Sequence, residues 1–126
     1  MRGLPPVWLH GTDELYSNQR GPGKNMTILA TAWSDPEREA HWGERTHGTG
    51  DHEPMVHTVQ YGKGRVFGTA MGHVDGNAPL GSGPWPAMEC RGFTTLIQRA
   101  AEWAATGQVT QSIPETFPSA HSVSLR

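Results

Sequence analysis

Runs of apolar residues along the chain predict a few strands and one helix, separated by long polar connections. The run MTILATAW, Met26–Trp33, is apolar nearly throughout and follows Gly-Pro-Gly-Lys-Asn. Such continuity predicts a strand that is buried on both faces and central to its sheet. A shorter apolar run, residues 6–10, predicts a brief strand that leads into a polar loop.

A second pattern predicts a β-hairpin. Residues 55–61 (MVHTVQY) and 65–71 (RVFGTAM) flank a Gly-Lys-Gly turn. Glycine at both ends of this turn can supply the positive φ angles that a tight hairpin needs. The second strand is followed directly by Gly72 and His73, so we expect the imidazole to stand at the edge of the sheet.

The last periodic segment, residues 88–107 (MECRGFTTLIQRAAEWAATG), predicts an amphipathic helix that ends at Gly107. Its apolar face is expected to consist of Phe93, Leu96, Ile97, Ala100, Trp103 and Ala104. Residues 34–54 predict a long polar loop. Residues 108–126 contain two prolines and no sustained period, so they predict either a surface strap or a disordered tail.

Composition narrows the class of protein. With 126 residues, 35% hydrophobic residues, 16 glycines and 10 prolines, the chain predicts one small, loop-rich domain. Its interspersed charges, formally −2 in total, provide no basic stripe for nucleic acid. The single cysteine cannot form an internal disulfide, and no apolar run approaches the ~18 residues of a membrane span. We therefore expect a cytoplasmic protein with neither a nucleic-acid nor a membrane partner.

The densest group of reactive side chains is HGTDELY, residues 10–16. His10, Asp13, Glu14 and Tyr16 follow a predicted strand, and loops at the carboxyl ends of strands bind ligands in open α/β sheets. Asp13 or Glu14 could act as a base, a metal ligand or an acceptor for sugar hydroxyls. Asp13 could equally be a helix N-cap, and Glu14 could equally be a solvated surface group.

Other candidate residues carry weaker signals. The spacing of the histidines at positions 41, 47, 52 and 57 fits no compact zinc motif, and only one thiol is present. Cys90 lies near a helix start, where a thiol pKa can fall, but no nucleophile elbow surrounds it, so we predict an inert thiol. The tryptophans are expected to pack in the core, although Trp8, Trp42 or Trp85 could present a flat face to a sugar ring.

Four segments together resemble the trehalose-utilisation, or ThuA-like, family: LPPVWLHGTDELY, ILATAW, HEPMVHTVQYGKGRVFGTAMGH and GFTTLIQRAAEWAATG. Members of this family have a flavodoxin-like α/β fold of the class I glutamine amidotransferase type. The resemblance covers the C-terminal half of such a domain. It therefore implies a truncated sheet of this kind over residues 1–107, with a C-terminal helix, long loops and a tail over residues 108–126.

The resemblance also places His73 where amidotransferase relatives have their catalytic histidine. Their nucleophilic cysteine would lie in the unmatched half, so a glutaminase mechanism is not implied. Two residues depart from the family pattern: Gly68 replaces a larger residue, and His57 replaces a tryptophan. A shortened sheet would expose an unpaired edge, so we expect a homo-oligomer, with exchange of elements as one route to it.

Three functions are consistent with this sequence. In the first, the protein is a hydrolase or isomerase of a keto-sugar or glycoside. His73 and either Asp13 or Glu14 would move protons, and Tyr16, His10 and Trp8 would contact the substrate. A divalent ion such as zinc could bridge the acid–base groups. The alternatives are a non-catalytic sugar-binding or assembly module, and an ester or lactone hydrolase with a metal-assisted site.

Overall fold

The computed structural model of the protein describes residues 1–21, 23–38, 47–74 and 83–126. His41 and Trp42 lie outside the described residues. The chain divides into two compact units, one of Leu15–Ala70 and one of Met1–Glu14 with Met71–Arg126. The first unit holds a sheet of three strands, and the second holds two helices: β1 (Met26–Trp33), β2 (His52–Tyr61), β3 (Gly64–Thr69), α1 (Pro86–Glu89) and α2 (Arg91–Thr106).

The predicted hairpin is confirmed. Strands β2 and β3 pair antiparallel, with Val59 opposite Val66 and Tyr61 opposite Gly64. Gly62 in the turn has a φ of 56°, a left-handed value that side chains disfavour. The mixed α/β class is also confirmed. All pairings between the described strands are antiparallel, so the parallel part of a flavodoxin-like sheet is not among them.

The predicted place of β1 is wrong. The strand order is β1-β2-β3, so β1 is an edge strand, and none of its residues is buried. The centre is occupied by β2, which carries the buried side chains of Met55 and Val56. An apolar run shows that a strand is present, but its neighbours decide whether it is covered. Within the described part of the chain, β3 takes the other side of β2 through the hairpin and leaves β1 with one strand partner.

The strand predicted over residues 6–10 is also wrong, because no strand forms there. The segment bends at Pro6 and Val7, and its Leu9 N–H donates to the carbonyl of Ser119 at 2.9 Å. Pro5 and Pro6 carry no N–H groups, so this segment lacks the donors that a regular ladder needs.

The two departures from the family pattern face each other across the hairpin. His57 on β2 pairs directly with Gly68 on β3. A Cβ atom added at Gly68 would collide with the His57 ring. The glycine thus provides the space that the imidazole occupies, and the two departures form one cross-strand arrangement.

Helix α2 and its end are confirmed, but its start differs from the prediction. The predicted segment is divided at Cys90, whose ψ of 122° separates α1 from α2. Gly107 has a φ of 79°, and its N–H donates to the Trp103 carbonyl at 2.8 Å. The predicted apolar face needs a correction, because Ile97 and Ala104 are exposed. The buried positions are Gly92, Phe93, Thr95, Leu96 and Ala100. The core therefore lies on a narrower stripe, shifted toward the small residues Gly92 and Thr95.

Residues 108–126 run as an extended segment against the two helices. The Arg91 N–H donates to the Ser124 carbonyl at 2.9 Å, and the Arg126 N–H donates to the Glu89 carbonyl at 3.2 Å. Farther along α2, the Glu102 carboxylate accepts hydrogen bonds from the N–H of Thr110. No helix in the described ranges is long and apolar enough to cross a membrane.

The correction of the α2 face can be tested with two neighbouring residues. Leu96 is 4% exposed and Ile97 is 40% exposed. We expect Leu96→Ala to lower the free energy of unfolding by about 2–4 kcal/mol, because it leaves a cavity in the core. The matched variant Ile97→Ala should lower it by less than about 1 kcal/mol. Urea denaturation measures both values, and equal losses would contradict the assigned face.

Candidate functional site

The centre of the candidate site is the carboxylate of Asp13, which is 8% exposed. Its Oδ2 accepts the N–H of Gly72 at 2.7 Å, and its Oδ1 accepts the N–H groups of His73 at 3.1 Å and Glu14 at 2.8 Å. Oδ2 also contacts Nε2 of His10 at 2.8 Å. Four polar groups therefore converge on one side chain, which joins the loop at residues 10–14 to the backbone of residues 72–73.

Gly72 has the backbone shape that this junction needs. Its φ is 100°, and a Cβ atom added there would lie 2.6 Å from Cζ of Phe93. Both the backbone angle and the close ring exclude a side chain at this position. The chain can therefore turn at Gly72 and present two consecutive N–H groups to Asp13.

His73 and Glu14 form a pair on the outer side of the junction. Nδ1 of His73 lies 3.3 Å from Oε2 of Glu14, and the two side chains are 39% and 45% exposed. A carboxylate beside one ring nitrogen fixes the tautomer of an imidazole, because that nitrogen carries the proton. The other nitrogen can then accept or donate a proton. The pair is accessible and chemically suited to general acid–base work.

His10 lies on the inner side of Asp13. The edge of the Trp8 ring faces it at 6.2 Å between centroids, and the Phe93 ring lies at the same distance on another side. Nδ1 is buried and has no hydrogen-bond partner of normal geometry among the described residues. Burial lowers the pKa of His10, but contacts with the Cys90 thiol and the Asp13 carboxylate outweigh it, so the pKa is raised.

Cys90 stands next to His10, directly before α2, and is 0% exposed. Burial raises the pKa of its thiol. The His10 ring and the N–H groups of Phe93, Gly11 and Gly92 act in the opposite direction and bring the pKa down to about 7. No side-chain hydrogen bond caps the helix at Cys90. N–H groups at a helix start favour the thiolate form of a cysteine.

The structure brings four of the predicted site residues together: His10, Asp13, Glu14 and His73. Trp8 is partly covered by the ring of Phe117, whose centroid lies 5.5 Å away. Tyr16 belongs to the unit of Leu15–Ala70 and is 46% exposed.

Of the other histidines, His52 shares a hydrogen bond with Thr31, and His57 lies within β2. Among the described residues, no three His, Cys, Asp or Glu side chains form a group that could hold a metal ion.

Sequence reasoning did not link Cys90 to this site. Its position before a helix indicated a thiol whose pKa can fall. The partner His10, however, is distant in the sequence, and no spacing rule connects the two residues.

Comparison with known proteins gives one informative match. No family model and no curated protein matches the chain. A crystal structure of a provisionally named ThuA-like protein from Parabacteroides merdae is similar, with 47% sequence identity and a TM-score of 0.82. The similarity covers 99% of this chain and 40% of that one.

This match supports the resemblance of the chain to the ThuA-like family. The chain spans 40% of the ThuA-like neighbour's length. The similarity therefore does not by itself assign the activity of a whole ThuA-like protein to this chain. The placement of this chain as the C-terminal half of a ThuA-like domain stays a prediction.

The role of Asp13 as the junction can be tested by its removal. We expect Asp13→Ala to lower the free energy of unfolding by about 3 kcal/mol, because it leaves the N–H groups of Gly72 and His73 without an acceptor. The neighbouring control, Glu14→Ala, removes a half-exposed carboxylate and should change it by less than about 1 kcal/mol. Urea denaturation measures both changes. A loss for Asp13→Ala no larger than that for Glu14→Ala would contradict the assignment.

Proposed function

We propose that this chain contributes to an enzyme of carbohydrate metabolism, a hydrolase or isomerase that acts on a keto-sugar or glycoside with His73 as the acid–base group. One observation carries the proposal. Asp13 accepts hydrogen bonds from the N–H groups of Gly72 and His73, and Glu14 contacts Nδ1 of His73. The ThuA-like name of the Parabacteroides merdae neighbour supports the substrate class.

The chemistry assigned to His73 follows from the position of Glu14. With Nδ1–H directed at the carboxylate, Nε2 is the nitrogen that accepts and returns a proton. On a glycoside, protonated Nε2 would donate its proton to the leaving oxygen. On a keto-sugar, neutral Nε2 would remove the acidic proton beside the carbonyl. Glu14 stabilises the imidazolium that forms in the second case.

Within the proposal, the two carboxylates have different roles. Asp13 is 8% exposed, and both of its oxygens already accept hydrogen bonds, so it positions His73 rather than exchanging protons with the substrate. Glu14 is 45% exposed and shares the outer surface with the imidazole. Trp8, His10 and Tyr16 remain proposed substrate contacts, although His10 faces Asp13 and Cys90.

A divalent ion is an alternative way to use the same surface. Glu14 Oε2 and His73 Nδ1 are ligand types that zinc accepts, but no third His, Cys, Asp or Glu joins them among the described residues. Substrate oxygens or water would have to complete the coordination. Metal-assisted ester or lactone hydrolysis is therefore the second candidate function.

The finer fold assignment and self-association belong to the same proposal. The proposal of a flavodoxin-like, glutamine amidotransferase-like fold rests on the resemblance of the sequence to the ThuA-like family. Strand β1 has one strand partner among the described residues, and its Met26, Ile28 and Trp33 side chains are exposed. A second copy of the chain could pair with this edge, either directly or by exchange of elements.

The proposal is tested by replacing His73 and measuring product formation on a panel of keto-disaccharides and glycosides by chromatography. We expect His73→Gln to lower kcat by at least about 100-fold, since general acid–base catalysis contributes that much or more. Circular dichroism should remain unchanged. His121→Gln, which alters an exposed histidine in the tail, is the matched control and should retain full activity.

Other outcomes select the alternatives. Full activity of His73→Gln would remove His73 from the mechanism. Sugar binding by calorimetry without any product would favour a non-catalytic binding module. Ester or lactone hydrolysis that a chelator abolishes would favour the metal-assisted site.

A further inference from the structure

A chain of contacts runs from the start of α2 to the backbone of His73. The Cys90 thiol interacts with the His10 ring, and His10 Nε2 lies 2.8 Å from Oδ2 of Asp13. Asp13 in turn accepts the N–H groups of Gly72 and His73. The acid–base chemistry proposed above has no use for Cys90, although this residue lies at the inner end of the chain.

The surroundings of the Cys90 sulfur favour a negative charge. The side chain is fully buried, and the groups that act on it are N–H donors of Phe93, Gly11 and Gly92. Two of these donors belong to the first turn of α2, where the helix dipole also favours an anion. The third donor is the N–H of Gly11. This residue can lie here because it has no side chain, and a Cβ atom would collide with the carbonyl of Pro86. An uncharged, merely packed thiol would not need such donors.

His10 provides the complementary positive charge. Its Nε2 faces the Asp13 carboxylate, whereas its buried Nδ1 has no hydrogen-bond partner of normal geometry among the described residues. In a neutral pair, Nδ1 would accept from the Cys90 S–H, which is only a weak donor. A protonated ring instead lies between two anions, the carboxylate and the sulfur, and is attracted to both.

Neighbouring charged residues are engaged elsewhere. The Glu89 carboxylate accepts the N–H of Trp85 at 3.2 Å. The Arg91 and Arg126 side chains line a separate polar cavity of about 300 Å³ between α2 and the tail. Glu14 and His73 pair with each other on the exposed side of Asp13. The charge balance at the sulfur therefore depends on His10, and through it on Asp13.

We propose that Cys90 and His10 are positioning residues, in which a buried thiolate holds His10 as an imidazolium and the imidazolium holds Asp13 against the Gly72–His73 backbone. This inference rests on the proposed function of His73. Cys90 acts through its charge and not as a nucleophile, because its side chain is 0% exposed and no substrate can reach the sulfur.

The pKa shifts of the two groups make the stability of the pair depend on pH. Burial raises the pKa of the Cys90 thiol, but His10 and the N–H groups lower it to about 7. The depressed pKa contributes stability that is fully present above the ordinary value of 9.0 and is lost as pH falls through about 7. The raised pKa of His10 contributes stability that is fully present below 6.5 and is lost as pH rises through the folded-state pKa. The raised pKa of His10 and the lowered pKa of Cys90 both favour the charged forms of the two groups.

The first experiment titrates the thiolate by its ultraviolet absorbance. The chain has one cysteine, so the difference in absorbance between the wild type and Cys90→Ser belongs to Cys90 alone. We expect a midpoint at about pH 7, raised by at least about one pH unit in His10→Gln, which removes the imidazolium. Asp13→Asn, which keeps the side-chain shape, should shift it in the same direction. His121→Gln should leave it unchanged.

The second experiment tests whether the charge positions His73. Cys90→Ser retains a polar side chain that does not ionise near neutral pH. We expect amide hydrogen exchange at Gly72 and His73 to be roughly tenfold faster in this variant at neutral pH, because the anchor of their N–H groups is weakened. In the active enzyme, kcat should fall while KM stays the same. The pH profile of kcat should lose its limb near pH 7.

These readouts separate the inference from the function on which it rests. A wild-type thiol that titrates near its ordinary pKa, or that is indifferent to His10→Gln, overturns the inference even if His73→Gln is inactive. Rapid alkylation of the folded protein by iodoacetamide also overturns it, because the thiol would then be accessible. A thiol midpoint at about pH 7, together with faster amide exchange in Cys90→Ser, supports the positioning role of Cys90 and His10. If His73→Gln also retains activity, only the proposed function is contradicted.

Discussion

The structure of the candidate site depends on one buried carboxylate that accepts hydrogen bonds from two consecutive backbone N–H groups. Asp13 binds the N–H groups of Gly72 and His73 and also contacts His10. A buried carboxylate is unfavourable unless its oxygens are satisfied, and here both are. The two segments it joins are distant in sequence, because Gly72 lies 59 positions after Asp13. The Asp13 carboxylate therefore holds the backbone of Gly72 and His73.

The remaining features of the site fit around that constraint. Gly72 allows the turn that aims both N–H groups at Asp13, and Phe93 from α2 packs where a side chain at Gly72 would otherwise lie. Glu14 follows Asp13 directly and thereby reaches the His73 ring. The result is an asymmetric arrangement in which one face of Asp13 supports an accessible imidazole–carboxylate pair. The other face meets His10, which interacts in turn with the buried Cys90.

Local signals account for the parts of the fold that the sequence predicts well. The hairpin is specified by a Gly-Lys-Gly turn between two apolar runs, and α2 by its periodicity and by Gly107. The position of β1 is not predictable in this way, because the same apolar run suits a central or an edge strand. In residues 6–10, hydrophobicity alone predicts a strand, but the prolines before Trp8 lack the N–H donors that a strand needs. Resemblance to the ThuA-like family points to His73 and the DELY segment, whereas the contact between Cys90 and His10 depends on tertiary packing that no local pattern encodes.

The most direct test of the central claim is a measurement of the hydrogen bonds at Asp13 themselves. In isotope-labelled protein, through-hydrogen-bond scalar couplings can be sought between the Asp13 carboxyl carbon and the amide nitrogens of Gly72 and His73. We predict a coupling to the Gly72 amide, whose N–H contact with Asp13 is shorter than that of His73, at 2.7 Å against 3.1 Å. We also predict slow exchange of both amides. The absence of any coupling, together with amide exchange at the rate of an unfolded chain, would contradict the central claim.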